Sequence, residues 1–179
     1  MSGNGSDRRA VFLDRDGTVI EDVGYLSDPK TVEFIDGAIE GLRALRGLGF
    51  ALVLVSNQSG IARGLISREQ ADAVHERFVS VLAAEGVELD DVRYCPHGPD
   101  DGCSCRKPRP GLILDSAAAL GIDLGRSFVV GDKDADVEAG RRAGCRTIQF
   151  GAGGGDADFT ALTWSDVVDF VRRSTMAAA

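Results

Sequence analysis

The chain has no long apolar run. Its longest, "FALVLV" at 50–55, falls far short of the ~20 residues that a membrane-spanning helix needs, so no membrane partner is expected. Positive charge is in deficit: 20 Lys and Arg stand against 28 Asp and Glu, a formal net charge of -8. A nonspecific nucleic-acid binder needs a basic face, so no nucleic-acid partner is expected either. Aromatic residues make up only 6%, too few for a base-stacking groove. Cysteine and histidine are scarce too, with four and two. No apolar signal region follows the polar start "MSGNGSDRR". These absences point to the cytoplasm, where disulfides are rare.

What remains is one domain's worth of chain. At 179 residues, with 44% hydrophobic and 27% charged residues, the sequence is long enough to bury a core. Residues 1–8 read as a flexible lead, 9–175 as the domain and 176–179 as a flexible tail, with no internal repeat and no linker. A monomer is expected.

Five short runs lean towards strand: "AVFL" (10–13), "FALVLV" (50–55), "DVRY" (91–94), "SFVV" (127–130) and "CRTIQF" (145–150). Their nearly continuous apolar character suits strands covered on both faces. Helical patterns lie between them. Ile39, Leu42, Leu45 and Leu48 recur every three residues behind a cap at Asp36. Ser67 with Gln70 forms a capping box. "GLILDSAAALG" and "DADVEAGRRAG" each end in a glycine stop. Ser165 would cap a last helix running through Arg173. Strands alternating with helices predict an α/β fold, a doubly wound parallel sheet.

Four polar clusters follow four of these strands: "DRDGT", "SNQSG", the loop after 94, and "GDKDAD". The carboxyl ends of such strands form the crevice where ligands bind, so the clusters converge on one rim. One alone could be a turn; four together point to phosphoryl transfer. Asp14, Asp16 and Asp132 would repel one another unless a cation such as Mg²⁺ held them. A carboxylate can then attack phosphorus and form an acyl phosphate. Ser56, backbone N–H groups of "SNQSG" and Lys107 would meet the phosphoryl oxygens.

The scarce cysteines are not scattered. "CPHGPDDGCSCRKPRPG" (95–111) holds three of the four. Cys95, His97, Cys103 and Cys105 make a Cys₃His set of the number and type that suit structural Zn²⁺. Buried thiols or a disulfide at Cys95 are the alternatives. A loop rich in Pro, Gly and Asp has little core of its own, and zinc would fix it and hold Arg106 and Lys107. Cys145 reads as a small core residue, and His75 as an ordinary helix residue.

"FLDRDGT", "SNQSG", "RKP" and "GDKDAD" together resemble the four motifs of the haloacid dehalogenase superfamily of aspartate-dependent phosphatases, over about residues 10–150. The resemblance implies a Rossmann-like fold with Asp14 as nucleophile and Mg²⁺ ligand and Asp16 as general acid/base, its carbonyl also on the metal. It implies Ser56 and Lys107 on the phosphoryl group, Asp132 on the metal, and Asp136 supporting the metal shell or Lys107. The intervals where that superfamily inserts a cap domain are filled by sheet and helix, implying a capless member.

Two capless, zinc-bearing groups share these motifs. One hydrolyses a heptose bisphosphate in nucleotide-activated heptose biosynthesis, the other histidinol phosphate. "NQSGIARG" (57–64) and "GYL" (24–26) resemble the heptose group, which implies a small phosphorylated sugar as substrate. By that resemblance Asp22, Val23, Gly24 and Tyr25, with Ser56, Asn57, Gln58 and Ser59, line the substrate pocket. Arg63, Arg106, Lys107 and Lys133 supply its positive charge. The sequence departs from that group in having Ser56 where Thr is common, and in a short zinc loop. Histidinol-phosphate hydrolysis is the alternative, and a polynucleotide 3′-phosphatase a second one, disfavoured by the acidic balance.

Overall fold

The computed structural model describes residues 8–153 and 155–176. Six strands form one sheet: β1 (Ala10–Leu13), β2 (Ala51–Asn57), β3 (Asp91–Cys95), β4 (Phe128–Gly131), β5 (Arg146–Phe150) and β6 (Phe159–Ala161). Their order is β3-β2-β1-β4-β5-β6 and every neighbouring pair is parallel. Among the described residues the α-helices are α1 (Ala38–Gly47), α2 (Arg68–Ala84), α3 (Gly111–Leu120), α4 (Asp134–Ala143) and α5 (Trp164–Met176).

Alternation along each strand explains the layering. Val11 and Leu13 of β1, with Leu52 and Leu54 of β2, face one core, which Leu42, Leu45, Val74, Phe78, Leu82 and Val167 complete from α1, α2 and α5. Ala10 and Phe12, with Ala51, Val53 and Val55, face the other, closed by Leu112, Ile113 and Ala117 of α3 and Ala139 of α4. Successive side chains of a strand point to opposite faces, so a strand buried on both sides reads as one apolar run. The sheet is therefore doubly wound, a Rossmann-like arrangement as expected. The chain reverses direction across the sheet between β1 and β4, and ligands of such sheets bind at that switch point. Between β1 and α1 the chain holds loops and a single 3₁₀ turn, Pro29–Thr31.

Several local expectations need correcting. The last helix is capped by Thr163, not Ser165. Thr163 Oγ1 accepts from Asp166 N at 3.2 Å while Asp166 Oδ2 accepts from Thr163 N at 2.9 Å, a capping box. Helix α1 is not capped by Asp36: it starts after Gly37, whose φ of 78° only glycine adopts readily. β6 was not expected, because three residues are too few to show a period. Helix α5 runs to Met176, so the proposed tail begins inside a helix; residues 177–179 lie outside the described residues. Residues 1–7 of the proposed lead also lie outside them, while Arg8 already pairs with Asp90 at 2.6 Å. Ser67 and Gln70 do form the expected capping box. Among the described residues no helix is long and apolar enough to cross a membrane.

Candidate active site

Asp14 and Asp132 stand one residue beyond β1 and β4, on either side of the switch point. Asp136 reaches back from the first turn of α4. The three offer oxygens that all lie within 4.8 Å of one another. Lys107 is driven into their midst, 3% exposed. Its Nζ lies 2.6 Å from Asp14 Oδ1 and 2.6 Å from Asp136 Oδ1, and donates to the Val55 carbonyl at 2.7 Å. Lys107 is thus a buried ammonium with three acceptors. Gly17, at φ 84°, makes the close approach workable, since a Cβ there would collide with the Asp132 carboxylate.

The charges in this pocket do not cancel. Burial opposes the Lys107 charge, but Asp136 and then Asp14 more than offset this and push its pKa up. Asp14 is pushed up to about 7, chiefly by burial, with Lys107 working against the rise and Asp136 adding to it. These two shifts are consistent: one lysine serves two carboxylates, and one negative charge is left over. Asp132 is also raised, by burial first, against the pull of Lys133. Three converging carboxylates and one buried ammonium leave a charge deficit that a divalent cation fits. Asp136 gives one oxygen to Lys107 and accepts from Lys133 N with the other at 3.0 Å, so Asp14 and Asp132 are the better placed to bind one.

The segment after β2 holds the rest. Gln58 Nε2 lies 2.8 Å from Ser56 Oγ and 2.9 Å from Asp16 Oδ2. Asn57 turns its amide the other way and clamps the Lys107 backbone, accepting from Lys107 N and donating to Lys107 O, both at 3.1 Å. Beyond β3, Cys95, His97, Cys103 and Cys105 close into a second cluster. Cys95 Sγ is 3.6 Å from Cys103 Sγ, 3.1 Å from Cys105 Sγ and 3.5 Å from His97 Nδ1, which is 3.3 Å from Cys105 Sγ. All four cysteines are free thiols. Burial is the largest influence on the Cys95 thiol and raises its pKa.

The HAD-hydrolase-like family model matches residues 104–171. A Photorhabdus laumondii protein named D-glycero-beta-D-manno-heptose-1,7-bisphosphate 7-phosphatase is 49% identical over 137 residues, 73% of each chain. The Yersinia pestis protein of the same name is 47% identical over 145 residues, 77% of each. The crystal structure of D,D-heptose 1.7-bisphosphate phosphatase from B. bronchiseptica, complexed with magnesium and phosphate, matches with a TM-score of 0.84 at 32% identity. That match covers 93% of this chain and 99% of the other. The chain belongs to this family of haloacid dehalogenase-superfamily phosphatases.

Around the phosphatase centre the expected substrate residues divide. Asp22, Val23, Gly24 and Tyr25 form an exposed loop after β1, with Val23 63% exposed. Asp22 Oδ2 pairs with Lys133 Nζ at 3.0 Å, which ties this loop to the one after β4. Burial alone would raise Asp22; the Gly24 N–H and Lys133 outweigh it and lower its pKa. Tyr25 packs on Gly60, where a Cβ would meet its ring, so the loops after β1 and β2 touch. Ser59 is half-buried, and Arg63 stands exposed in the turn that follows it. Arg106 donates to the His97 carbonyl at 3.3 Å. With Pro99, Lys107, Arg109 and Arg142 it lines a cleft of ≈ 500 Å³.

Sequence reasoning missed two residues beside this phosphatase site. Arg15 and His75 are both buried, and Arg15 Nη1 lies 3.2 Å from His75 Nδ1. His75 lies in a helix, as expected, and is buried against Arg15. Nothing in one sequence links a residue after β1 to one in α2; an arginine between two site aspartates was the only available hint. Burial first, and the Arg15 charge second, depress the His75 pKa to about 4. The unfolded chain, with an ordinary histidine, takes up a proton between about pH 6.5 and pH 4 that the folded chain refuses. The His75 contribution to stability is expected to fall by about 3 kcal/mol as pH drops through that window, while Asp14, raised to about 7, contributes in the opposite sense. Urea unfolding at half-unit pH steps on the parent and on His75→Gln checks this: across that window the parent should lose about 3 kcal/mol relative to the variant.

Proposed function

We propose that this chain is a Mg²⁺-dependent phosphatase that removes the 7-phosphate of D-glycero-β-D-manno-heptose 1,7-bisphosphate and leaves the 1-phosphate in place. The observation that carries the chemistry is Lys107 locked between Asp14 and Asp136 beside Asp132 at the sheet's switch point. The substrate rests on the curated relatives at 49% and 47% identity, whose names give that sugar and that anomer.

Asp14 is the nucleophile, attacking phosphorus to form an aspartyl phosphate. Lys107 stabilises the phosphoryl oxygens, and the Ser56 hydroxyl donates to them. Asp136 holds Lys107 in place. Asp16 protonates the leaving sugar oxygen and then takes a proton from the attacking water. Asp14 and Asp132 would hold Mg²⁺, with the Asp16 carbonyl as a further ligand. When bound, the ion offsets the surplus negative charge and screens the phosphate from the carboxylates.

Cys95, His97, Cys103 and Cys105 would hold a structural Zn²⁺, since three thiols and an imidazole converge in the number and type that suit a four-coordinate ion. When bound, the ion would stabilise the loop that carries Arg106 and Lys107.

The far end of the substrate is recognised by charge. The described residues lining the 500 Å³ cleft include Arg106, Lys107, Arg109 and Arg142 and no carboxylate. That suits a second phosphate and disfavours the amine of histidinol phosphate. Arg106→Ala should therefore lower kcat/KM for the bisphosphate about thirtyfold, roughly 2 kcal/mol for one charged contact. A simple aryl phosphate, with no remote group to lose, should be nearly unaffected. Steady-state kinetics on both substrates test this: equal losses would mean that Arg106 only supports its neighbour Lys107. Faster turnover of histidinol phosphate than of the β-heptose bisphosphate would overturn the substrate assignment.

A further inference from the structure

Arg15 lies between the two aspartates of the first motif, yet the phosphoryl chemistry above gives it no task. It is 1% exposed. A guanidinium cannot shed its charge, so such burial needs partners for its donors. One edge of the fork meets Asp16: Nε is 3.2 Å from both carboxylate oxygens, and Nη2 is 3.1 Å from Oδ1 and 3.0 Å from Oδ2. The remaining nitrogen, Nη1, meets His75 of α2, at 3.2 Å from Nδ1 and 3.5 Å from Nε2.

The state of His75 follows from its other contact. Its Nδ1 lies 2.8 Å from the Ala71 carbonyl. A carbonyl only accepts, so Nδ1 carries the proton; Nε2 is then the ring's acceptor, and Arg15 Nη1 lies against the ring with Nε2 at the longer distance of 3.5 Å. Burial and the Arg15 charge keep the ring neutral, which makes it an acceptor rather than a second cation. The ring is held from its other side by Tyr94, with centroids 4.7 Å apart, and Tyr94 is fixed in turn by donating to Asp72 at 2.5 Å. A rigid element of α2 and β3 thus sets where Arg15 sits. Asp16 is gripped by Arg15 on one side and by Gln58 on the side of Ser56.

We propose that Arg15 and His75 are positioning residues for the second half of the reaction: His75 locks the Arg15 fork, and the fork holds the Asp16 carboxylate where it takes the proton of the attacking water. In that step the water oxygen bonds to phosphorus and the bond from phosphorus to the Asp14 oxygen breaks. The electron pair returns to the Asp14 carboxylate, and the proton passes to Asp16. An aspartate side chain has two free torsions, and a misplacement of about 1 Å can cost a hundredfold. Holding Asp16 from both sides removes that loss. The inference rests on the proposed roles of Asp14 and Asp16.

4-Nitrophenyl phosphate separates the two halves, because nitrophenolate leaves without being protonated. Stopped-flow mixing with saturating Mg²⁺ reads phospho-enzyme formation as a burst of nitrophenolate and its hydrolysis as the later steady rate. In His75→Phe the ring can still stack on Tyr94 but the acceptor is gone; Arg15→Lys keeps the charge and loses the fork. Both should give a burst of one equivalent per site at the unaltered enzyme's rate. The steady rate should then fall about tenfold in the first and approach a hundredfold in the second. His75→Gln, whose amide can donate to Ala71 and accept from Arg15, should recover most of the steady rate. Equal slowing of both phases, no slowing, or failure of all three variants to fold would each overturn the proposal. Asp16→Asn separates the role of Asp16 itself from the positioning role of Arg15 and His75. If it hydrolyses the phospho-enzyme at the normal rate, the role given to Asp16 is wrong. If it accumulates phospho-enzyme and the His75 and Arg15 variants do not, only the positioning role is wrong.

Discussion

Asp14→Asn should abolish turnover and leave the fold at least as stable as before. The substitution removes the attacking charge and almost no volume, and loss of a nucleophile of this kind costs at least about ten-thousandfold in kcat. Stability should not follow activity down. Asp14 is the carboxylate whose ionisation burial and Asp136 oppose, with a pKa pushed up to about 7. A neutral amide relieves that repulsion, and Lys107 keeps Asp136 and the Val55 carbonyl as acceptors. Without added Mg²⁺, the thermal midpoint of Asp14→Asn should equal or exceed that of the parent. Activity is read by phosphate release and stability by calorimetry on the same preparation. A variant that still turns over near the normal rate would remove Asp14 from the mechanism; one that is inactive because it unfolds would undo the charge argument.

The second large effect concerns the Cys₃His cluster. Elemental analysis should find one zinc per chain, separate from the Mg²⁺ requirement. Removing it with a strong chelator, or by Cys103→Ala, should lower the thermal midpoint by about 10 °C. That corresponds to roughly 3 kcal/mol for a domain of this size. Activity should fall with it, because the loop that the ion would tie down also carries Lys107. The Lys107 backbone is clamped by Asn57, and the Arg109 guanidinium donates to the Cys103 carbonyl, so disorder in the loop has a direct route to the site. A chain that is free of zinc as purified, stable and fully active would refute the proposed metal.

How much of this was legible beforehand depended on the range of the interaction. β1 begins and ends where its apolar run does, and the glycines after α3 and α4 adopt the left-handed stop at Gly121 and Gly144. These are local signals, read within a turn or a strand. The convergence of Asp14, Ser56, Lys107 and Asp132 was also readable, because parallel topology alone brings successive strand ends to one rim. Failures came where local grammar was ambiguous or where distant segments decided. Asp36 is a good capping residue, but the left-handed Gly37 behind it moved the helix start. β6 is three residues pairing with β5, a strand made by its neighbour rather than by its own pattern. Asn57 belonged to a stretch expected to line the substrate, yet its amide faces the Lys107 backbone. Arg15 and His75 lie 60 positions apart in sequence, and only the packing of α2 beneath the first loop joins them.

The proposed function is removal of one particular phosphate from one particular sugar. The direct measurement is a phosphorus NMR time course on the β-anomer of D-glycero-D-manno-heptose 1,7-bisphosphate with Mg²⁺. The α-anomer and histidinol phosphate are run in parallel. The 7-phosphate signal of the β-anomer should disappear first, inorganic phosphate should appear in equal amount, and the 1-phosphate signal should persist. Loss of the 1-phosphate signal, or faster release of phosphate from histidinol phosphate, would contradict the proposed function.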